Sequence, residues 1–275
     1  MRKNEVISIL SSLGVKPSKY RGQNFLIDER VVKRQITYAD ISNKDTVLEV
    51  GSGLGMLTVQ LINNAGKVIA IEKDEKMASY LRNRLNSKLN LMVGDALKVN
   101  FPQFNKIVSN IPYNISSQLT FKFLEYSFEI AVLMYQKEFA ERLVAKPECK
   151  EYSRLSVNAY YKARCEIVEQ VPKTAFFPQP KVDSAIVKII PRKEPPFKVL
   201  NEKTFLAIID ALFSHRRKKI KNGLVYAYKS LGCTENEMKD IALNAKFKSE
   251  RVEDLSPEEI GEIADEIFIK LSEKA

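Results

Sequence analysis

The chain of 275 residues is long enough for one large domain and a small one, with an ample core. Hydrophobic residues make up 45% and charged residues 28%, which is typical of a globular protein, and no apolar run approaches the ~20 residues that cross a bilayer. The net charge of +10 favours a polyanionic partner. An organism whose proteins are basic in general would show the same excess of positive charge without such a partner. The first residues lack the apolar core of a signal peptide, so we expect a cytoplasmic protein with no membrane segment.

Scattered thiols and a single imidazole limit the chemistry of the chain. Cys149, Cys165 and Cys233 have no metal-ligand spacing and are odd in number, which is typical of reduced thiols. His215 is the only histidine. A zinc site and a histidine-based catalytic triad are therefore not expected, and we predict no bound metal.

Two short helices are predicted near the start of the chain, over residues 6–13 and 29–38. The loop between them carries the amides Gln23 and Asn24 and the apolar Leu26. An amide can reach the carboxylate or amine of a bound ligand. Hydrogen bonding within the loop is the simpler explanation of this segment taken alone.

Residues 47–136 alternate between strand and helix patterns. Strands are predicted at 47–50, 67–72, 89–93, 106–109 and 129–135, with helices near 56–65, 74–86 and 116–126. A helix at 137–146, a helix-to-strand pattern at 154–171 and a strand at 184–190 follow. This alternation predicts an α/β fold with a mainly parallel sheet and right-handed crossovers.

A glycine-rich turn joins the first of these strands to its helix. The glycines are Gly51, Gly53 and Gly55, whereas the dinucleotide-binding pattern G-x-G-x-x-G needs a glycine where this chain has Met56. Glycines let a ligand approach the backbone closely, and the helix N-terminus offers free N–H groups. The turn therefore predicts a cofactor cradle, and its spacing weakens the case for a bound pyrophosphate.

Two acids follow at the ends of the next strands, Glu72 about 20 residues after the turn and Asp95 after the third strand. Parallel strands present their carboxyl ends at one edge of an open sheet, where such folds bind ligands. Glu72 can accept from two ribose hydroxyls, and Asp95 can accept from an adenine amino group. A nucleoside without a pyrophosphate fits this set, and S-adenosylmethionine is the commonest such cofactor. A plain sheet turn with surface acids is the alternative.

The strand at 106–109 ends in the tetrapeptide Asn110-Ile111-Pro112-Tyr113, at the same sheet edge. The amino nitrogen of adenine is a poor nucleophile because its lone pair is delocalised into the ring. The side-chain oxygen of Asn110 and the backbone carbonyl of Ile111 can accept its two N–H groups, which frees that lone pair. Pro112 has no N–H to compete, and the ring of Tyr113 can stack on an extruded base. Asn and Pro also form ordinary turns, so a plain turn stays open as the alternative.

An aromatic loop at 175–184 carries Phe176, Phe177 and Lys181. The two rings can clamp the other face of a base, and core packing of one of them is equally compatible with the sequence. Lys181 can meet a phosphate or be solvated.

The proline-rich, charged break at 191–196 predicts a boundary between a first domain at 1–192 and a second at 193–275. Helices are predicted throughout the second, at 202–213, 217–230, 235–243 and 256–273. A run of basic residues predicts a helix that tracks RNA phosphates, with a solvated basic face as the alternative. The basic residues are Arg216, Arg217, Lys218, Lys219 and Lys221.

Taken in order, these motifs resemble the KsgA/Dim family of ribosomal RNA adenine dimethyltransferases, including its archaeal branch. The resemblance runs from about Tyr20 to Leu224. It rests on Gly22-Gln23-Asn24-Phe25-Leu26, Glu49-Val50-Gly51-Ser52-Gly53, Asn110-Ile111-Pro112-Tyr113, Phe176 through Ser184, and Phe213 with Arg216-Arg217-Lys218. Ile111 replaces the commoner leucine, which matters little because its carbonyl is the working atom.

The resemblance implies a Rossmann-like S-adenosylmethionine-dependent methyltransferase domain and a small all-helical C-terminal domain that binds RNA. It implies that each of two adjacent adenosines near the 3′ end of small-subunit (16S) rRNA receives two N6 methyl groups, within a pre-ribosomal particle, from a monomeric enzyme. It assigns catalysis to Asn110, Ile111, Pro112 and Tyr113, with Phe176 also stacking on the base. The implied cofactor-binding residues are Gln23, Asn24, Leu26, Gly51, Gly53, Glu72, Asp95 and Asn110.

Two other functions stay open. A ribosome-assembly factor that acts mainly by binding would fit the basic surface equally well. A large-subunit rRNA adenine methyltransferase is the second, and the signature over residues 213–224 argues against it. DNA methylation is less favoured because the sequence has no recognisable DNA-recognition domain.

Overall fold

The computed structural model of the protein describes residues 2–17, 23–85 and 88–273. Gly22, the first residue of the opening motif, lies outside the described residues. The chain divides into two compact units, Met1–Ala140 with Arg164–Pro191 and Glu141–Ala163 with Arg192–Ala275. Within the described ranges, no helix combines the length and the apolar character that crossing a membrane requires.

The first unit contains the alternating strands and helices that the sequence predicts. Its helices are α1 (Lys3–Ser12), α2 (Glu29–Tyr38), α3 (Met56–Asn64), α4 (Glu75–Arg82) and α5 (Ser116–Phe123), and α6 (Lys137–Val144) runs from this unit into the second. Its strands are β1 (Phe25–Leu26), β2 (Thr46–Val50), β3 (Lys67–Glu72), β4 (Leu89–Val93), β5 (Lys106–Asn110), β6 (Ile130–Gln136), β7 (Ala163–Val171), β8 (Phe176–Phe177) and β9 (Ser184–Pro191). The α/β class is therefore confirmed.

Over the described part of the chain, seven strands form one sheet in the order β4-β3-β2-β5-β6-β9-β7. The strands from β4 to β6 pair in parallel, and β9 pairs antiparallel with β6, so the sheet is mainly parallel as predicted. Val50 pairs with Ile71, and Glu72 pairs with Val93. The carboxyl ends of β2, β3 and β4 therefore meet at one edge.

The central strands β2, β3, β5 and β6 are almost completely buried. Strands covered on both faces are near-continuous apolar runs, as these are. Helices α2 and α3 pack on each other over this core. The core fixes the sheet edge rigidly, and the loops at that edge carry the polar residues.

A second, two-stranded sheet pairs β1 with β8 in antiparallel register, with Phe25 opposite Phe177 and Leu26 opposite Phe176. The sequence patterns do not predict it. It joins the loop that carries Gln23 to the aromatic loop, although about 150 residues separate them along the chain. The motif that contains Gln23 and the motif that contains Phe176 are therefore adjacent in the structure.

The second unit is built from helices. They are α7 (Arg154–Lys162), α8 (Glu202–Ser214), α9 (Ile220–Gly223), α10 (Tyr228–Leu231), α11 (Glu235–Leu243) and α12 (Pro257–Ser272). The chain passes from the first unit into the second after residue 191, next to the predicted boundary at 192. Residues 141–163 also belong to the second unit, whereas the predicted first domain included them. Tyr152, Val157 and Tyr161 pack in the core of the helical unit, and the Tyr152 hydroxyl donates to the Leu255 carbonyl at 3.0 Å.

The helix predicted over 217–230 is confirmed only from residue 220, where α9, a 3₁₀ turn and α10 follow one another as far as Leu231, and residues 217–219 are not helical. The chain leaves α8 through a turn at 215–217, and Lys219 pairs with Arg251 in an isolated antiparallel bridge. The N–H of Ile220 donates to the Glu250 carbonyl at 2.8 Å, so contacts distant in sequence satisfy the backbone in place of a helical ladder. Short helical pieces begin only at residue 220.

Candidate active site

A cavity of about 470 Å³ opens at the carboxyl edge of the large sheet in the first unit. The predicted site residues that it brings together come from six separate stretches of the chain. Every residue that the sequence assigns to cofactor binding or catalysis lines it: Gln23, Asn24, Leu26, Gly51, Gly53, Glu72, Asp95, Asn110, Ile111, Pro112, Tyr113 and Phe176. Their roles in cofactor binding and catalysis remain predictions, and the contacts of each residue determine what chemistry it can perform.

The glycine turn has the backbone shape that only glycine adopts without strain. Gly51, Gly53 and Gly55 have φ angles of 78°, 55° and 84°. A Cβ on Gly51 would lie 3.3 Å from the ring of Pro112, so a side chain there would fill the space between the turn and the tetrapeptide. Gly55 caps the N-terminus of α3. The backbone is therefore open to a ligand at this point.

Glu72 ends β3 with 6% of its surface exposed. Its carboxylate accepts from the N–H groups of Gly53 at 2.8 Å and Asp74 at 2.9 Å. Burial raises the pKa of Glu72 above its ordinary value, while these backbone donors act in the opposite direction. The acid is thus bound to the glycine turn, with its position fixed before any ligand arrives.

Asp95 is already engaged on both oxygens. Lys73 donates to it at 2.8 Å and the N–H of Leu97 at 3.0 Å, and the hydrogen bond from Lys73 lowers its pKa. An ionised carboxylate can still accept further bonds, because its two oxygens carry about four lone pairs. Asp95 therefore remains an available acceptor at the cavity wall.

Glu49 was quoted in the cofactor motif, but the sequence analysis gave it no role. It lies in β2, lines the cavity and is only 2% exposed. Burial raises its pKa to about 8, and the charge of Glu72 adds to this shift. Its Oε2 and the hydroxyl of Ser52 are buried without a hydrogen-bond partner among the described residues. Unpaired buried polar atoms beside a cavity are the groups that a polar ligand would satisfy.

Asn110 is the last residue of β5 and lines the cavity. The N–H of Ile111 donates to the Met134 carbonyl at 3.1 Å, which holds the tetrapeptide to the sheet. The side-chain oxygen of Asn110 accepts from Gln35 Nε2 at 3.0 Å. Gln35 is a buried residue of α2 that no sequence motif identified. The feature that could have identified it is a single amide among the apolar residues of one helix face.

The two predicted stacking residues differ in exposure. Tyr113 is half-buried, and its hydroxyl shares a hydrogen bond of 2.7 Å with Ser184 at the start of β9. This anchor holds the tyrosine ring at the cavity. Phe176 is 5% exposed, packs in the core and also lines the cavity, so core packing is confirmed and its contact with a base stays a prediction.

The basic segment of the second unit is a turn whose cations have different environments. Arg216 donates to Glu253 at 2.8 Å and to the Lys150 carbonyl at 3.0 Å, so its guanidinium holds the helical unit together. Arg217, Lys218 and Lys219 are exposed, Lys221 is half-buried, and Lys181 is exposed in the first unit.

A ring pair missed by the sequence analysis borders this segment. His215 and Tyr226 have ring centroids 3.6 Å apart, and Lys218 donates to the Tyr226 hydroxyl. Tyr226 is 46% exposed, so an aromatic surface lies among the cations.

The sequence model of the family described as "Ribosomal RNA adenine dimethylase" matches residues 16–265. The chain belongs to this family. The resemblance drawn from the motifs is thereby confirmed, and the chain is an S-adenosylmethionine-dependent rRNA adenine dimethyltransferase by family.

Relatives and solved structures agree with this membership. A protein of Thermococcus onnurineus, named "Probable ribosomal RNA small subunit methyltransferase A", is 44% identical over 98% of both chains. One of the same name from Methanosarcina mazei is 46% identical over 96% of this chain and 97% of its own. A dimethyladenosine transferase from Plasmodium falciparum has a TM-score of 0.76 at 31% identity, covering 90% of this chain and 98% of its own. The 23S rRNA methyltransferase ErmE has a TM-score of 0.66 at 28% identity, covering 89% and 100%.

Proposed function

We propose that the protein transfers methyl groups from S-adenosylmethionine to N6 of two adjacent adenosines near the 3′ end of small-subunit rRNA, giving N6,N6-dimethyladenosine. The observation that carries this proposal is that Asn110-Ile111-Pro112-Tyr113 borders the same cavity as the glycine turn and Glu72. The small subunit is proposed because relatives 44% and 46% identical carry that subunit in their names.

The cavity wall fits the methyl donor. Gly51 and Gly53 leave backbone open to its nucleoside part, and Glu72 and Asp95 offer carboxylate oxygens for ribose hydroxyls and the adenine amino group. The unpartnered Oε2 of Glu49 marks a further polar position. The bound donor would supply a methyl group on a sulfonium, which leaves as a neutral thioether and needs no acid.

The chain's own part in the reaction is to orient the target amine. The Asn110 side-chain oxygen and the Ile111 carbonyl accept its two N–H groups, which favours a pyramidal nitrogen with a free lone pair. The ring of Tyr113 stacks on the extruded base, a contact worth roughly 1–3 kcal/mol. The ring of Phe176, at the edge of the hydrophobic core, contacts the same base. The amine's proton is lost to solvent after transfer, so positioning accounts for the catalysis.

Exposed cations supply the affinity for rRNA phosphates. In the second unit Arg217, Lys218 and Lys219 form the main cluster, to which Lys221 adds, while Arg216 orders the turn through Glu253; in the first unit Lys181 is an exposed cation of the aromatic loop. Their side chains contact the backbone of the RNA. The exposed face of Tyr226 stacks on an unpaired base beside them.

The test is methylation of immature ribosomal subunits with isotope-labelled donor, followed by mass spectrometry of the rRNA nucleosides. Wild type should yield dimethyladenosine from small subunits only, and Asn110→Ala should yield none. Asn63→Ala, an exposed residue of α3, is the matched control and should behave as wild type. Full activity of Asn110→Ala, or methylation confined to large subunits, would overturn the proposal.

The remaining expectations belong to the same proposal. We propose that the enzyme acts as a monomer on a pre-ribosomal particle in the cytoplasm. The comparisons do not favour a large-subunit target, since ErmE is only 28% identical. A role mainly in assembly predicts that a strain with a catalytically dead protein shows a milder assembly defect than a deletion strain, whereas a catalytic role predicts equal defects.

A further inference from the structure

Gln35 interrupts the apolar face of α2. The helix buries Val31, Val32 and Gln35, and Ala39 follows one turn later, so these residues occupy a single helix face against the sheet. Gln35 is 0% exposed, although glutamine is mostly found at protein surfaces. An apolar residue of similar volume would fit this pattern better, so packing alone does not explain the amide at this position.

The two polar atoms of Gln35 are used unequally. Its Nε2 donates to Asn110 Oδ1 at 3.0 Å. Its Oε1 is buried without a hydrogen-bond partner among the described residues. A buried, unpaired polar atom destabilises the fold, and the single hydrogen bond that Gln35 makes offsets only part of this cost. Gln35 therefore weakens the fold slightly while restraining one side chain of the cavity.

We propose that Gln35 is a positioning residue that sets which end of the Asn110 carboxamide faces the target amine. This inference rests on the proposed function. A carbonyl oxygen has two lone pairs, and Gln35 occupies one of them from the buried side. The second lone pair of Asn110 Oδ1 is then directed to an incoming N–H group.

The restraint matters because the terminal torsion of asparagine is broad and roughly two-fold. Turned over, Asn110 would present its NH₂ group to the amine of adenine, and two donors would face each other. With Gln35 Nε2 as the donor, the reversed orientation would direct two NH₂ groups at each other inside the core. Turning Gln35 over as well would place its NH₂ group, with two donors, at the buried position where Oε1 now has no partner. Gln35 itself is absent from the described cavity wall, so it acts only through Asn110.

Gln35→Leu tests the idea without introducing a new polar group. We expect kcat to fall roughly 10- to 100-fold, which is the loss typical of a misplaced catalytic group. The dissociation constant for S-adenosylmethionine, measured by calorimetry, should be unchanged, and the melting temperature should be unchanged or higher. Gln60→Leu, the same change on α3 at a residue that is not part of the described cavity wall, is the control and should keep wild-type kcat.

Gln35→Glu gives a signature that a purely structural role would not produce. A protonated carboxyl can donate to Asn110 Oδ1 as the amide does, whereas a carboxylate can only accept and would turn the asparagine over. Burial will raise the pKa of the introduced acid. The ratio of this variant's kcat to that of wild type should therefore be highest at low pH and fall as the introduced carboxyl ionises.

The outcomes separate this inference from the proposed function. If wild type makes no dimethyladenosine, the function itself fails. If wild type is active and Gln35→Leu has the same kcat, the positioning role is refuted. It is equally refuted if kcat and melting temperature fall together, or if the Gln35→Glu profile follows that of wild type or rises with pH.

Discussion

Raising the pH from about 5 to about 8 should destabilise the ligand-free protein, and Glu49 is the main group responsible. Its carboxyl is buried in β2, and burial raises its pKa from 4.5 to about 8. Between those values the folded protein binds a proton that the unfolded chain has released. The stabilisation from this proton is fully present below the ordinary pKa and is lost as the pH rises through the folded value.

The expected size follows from the two pKa values. One pKa unit corresponds to about 1.4 kcal/mol, so the full loss at Glu49, which is complete only above the folded pKa of about 8, would be about 5 kcal/mol if nothing relaxed. Relaxation around the charged carboxylate reduces this, and we expect a fall of about 2–4 kcal/mol. Glu72, with a raised pKa, acts in the same direction. Asp45 and Asp95 have lowered pKa values, so their contributions to the free energy of unfolding change with pH only below about pH 5.

Urea denaturation at a series of pH values, without the methyl donor, measures this dependence. Glu49→Gln keeps the shape of the side chain but cannot ionise, so its free energy of unfolding should vary much less with pH. Glu125→Gln makes the same change at an exposed position and should retain the wild-type slope. Equal slopes for wild type and Glu49→Gln would refute the reasoning.

Three further predictions concern the cradle and the basic turn. Gly51→Ala forces a side chain into a φ of 78° and should cost about 1–3 kcal/mol of stability while weakening binding of S-adenosylmethionine in calorimetry; wild-type affinity would contradict the cradle. Replacing Arg217 and Lys219 by Gln should lower the slope of log Kd for an unstructured RNA against log salt by about 2. Tyr226→Leu should instead weaken binding at every salt concentration with an unchanged slope, and a changed slope would argue against stacking.

The sequence was most informative where a pattern repeats or a backbone demands one residue type. The strand at Lys67–Glu72 was predicted to the residue, because a buried parallel strand is an unbroken apolar run between breaks. The bounds of the helix Glu29–Tyr38 were also predicted to the residue. Gly51 and Gly53 were predicted to form a cradle, and both have positive φ angles beside the cavity.

Contacts distant in sequence account for what could not be predicted. The pairing of Phe25 with Phe177 involves two strands of two residues each, too short for any periodicity. The segment at 216–219 has a helical composition, yet the bridge from Lys219 to Arg251 replaces the helix. Tertiary contacts overrode local propensity in both cases.

Residues that act through others are similarly invisible to motif analysis. Gln35 stands in a helix with no motif, and its importance comes only from the bond to Asn110. Glu49 was read as part of the cofactor motif, but only its burial and its unpartnered oxygen single it out. Such properties belong to the folded environment and have no counterpart in spacing or composition.

A crystal structure of the protein with S-adenosylhomocysteine and adenosine would test the central claim most directly. The account predicts the donor product along the glycine turn with its ribose at Glu72, and the N6 atom of adenosine within hydrogen-bond distance of Asn110 Oδ1 and the Ile111 carbonyl. A donor product bound elsewhere, or an Asn110 side chain turned away from N6, would contradict the account.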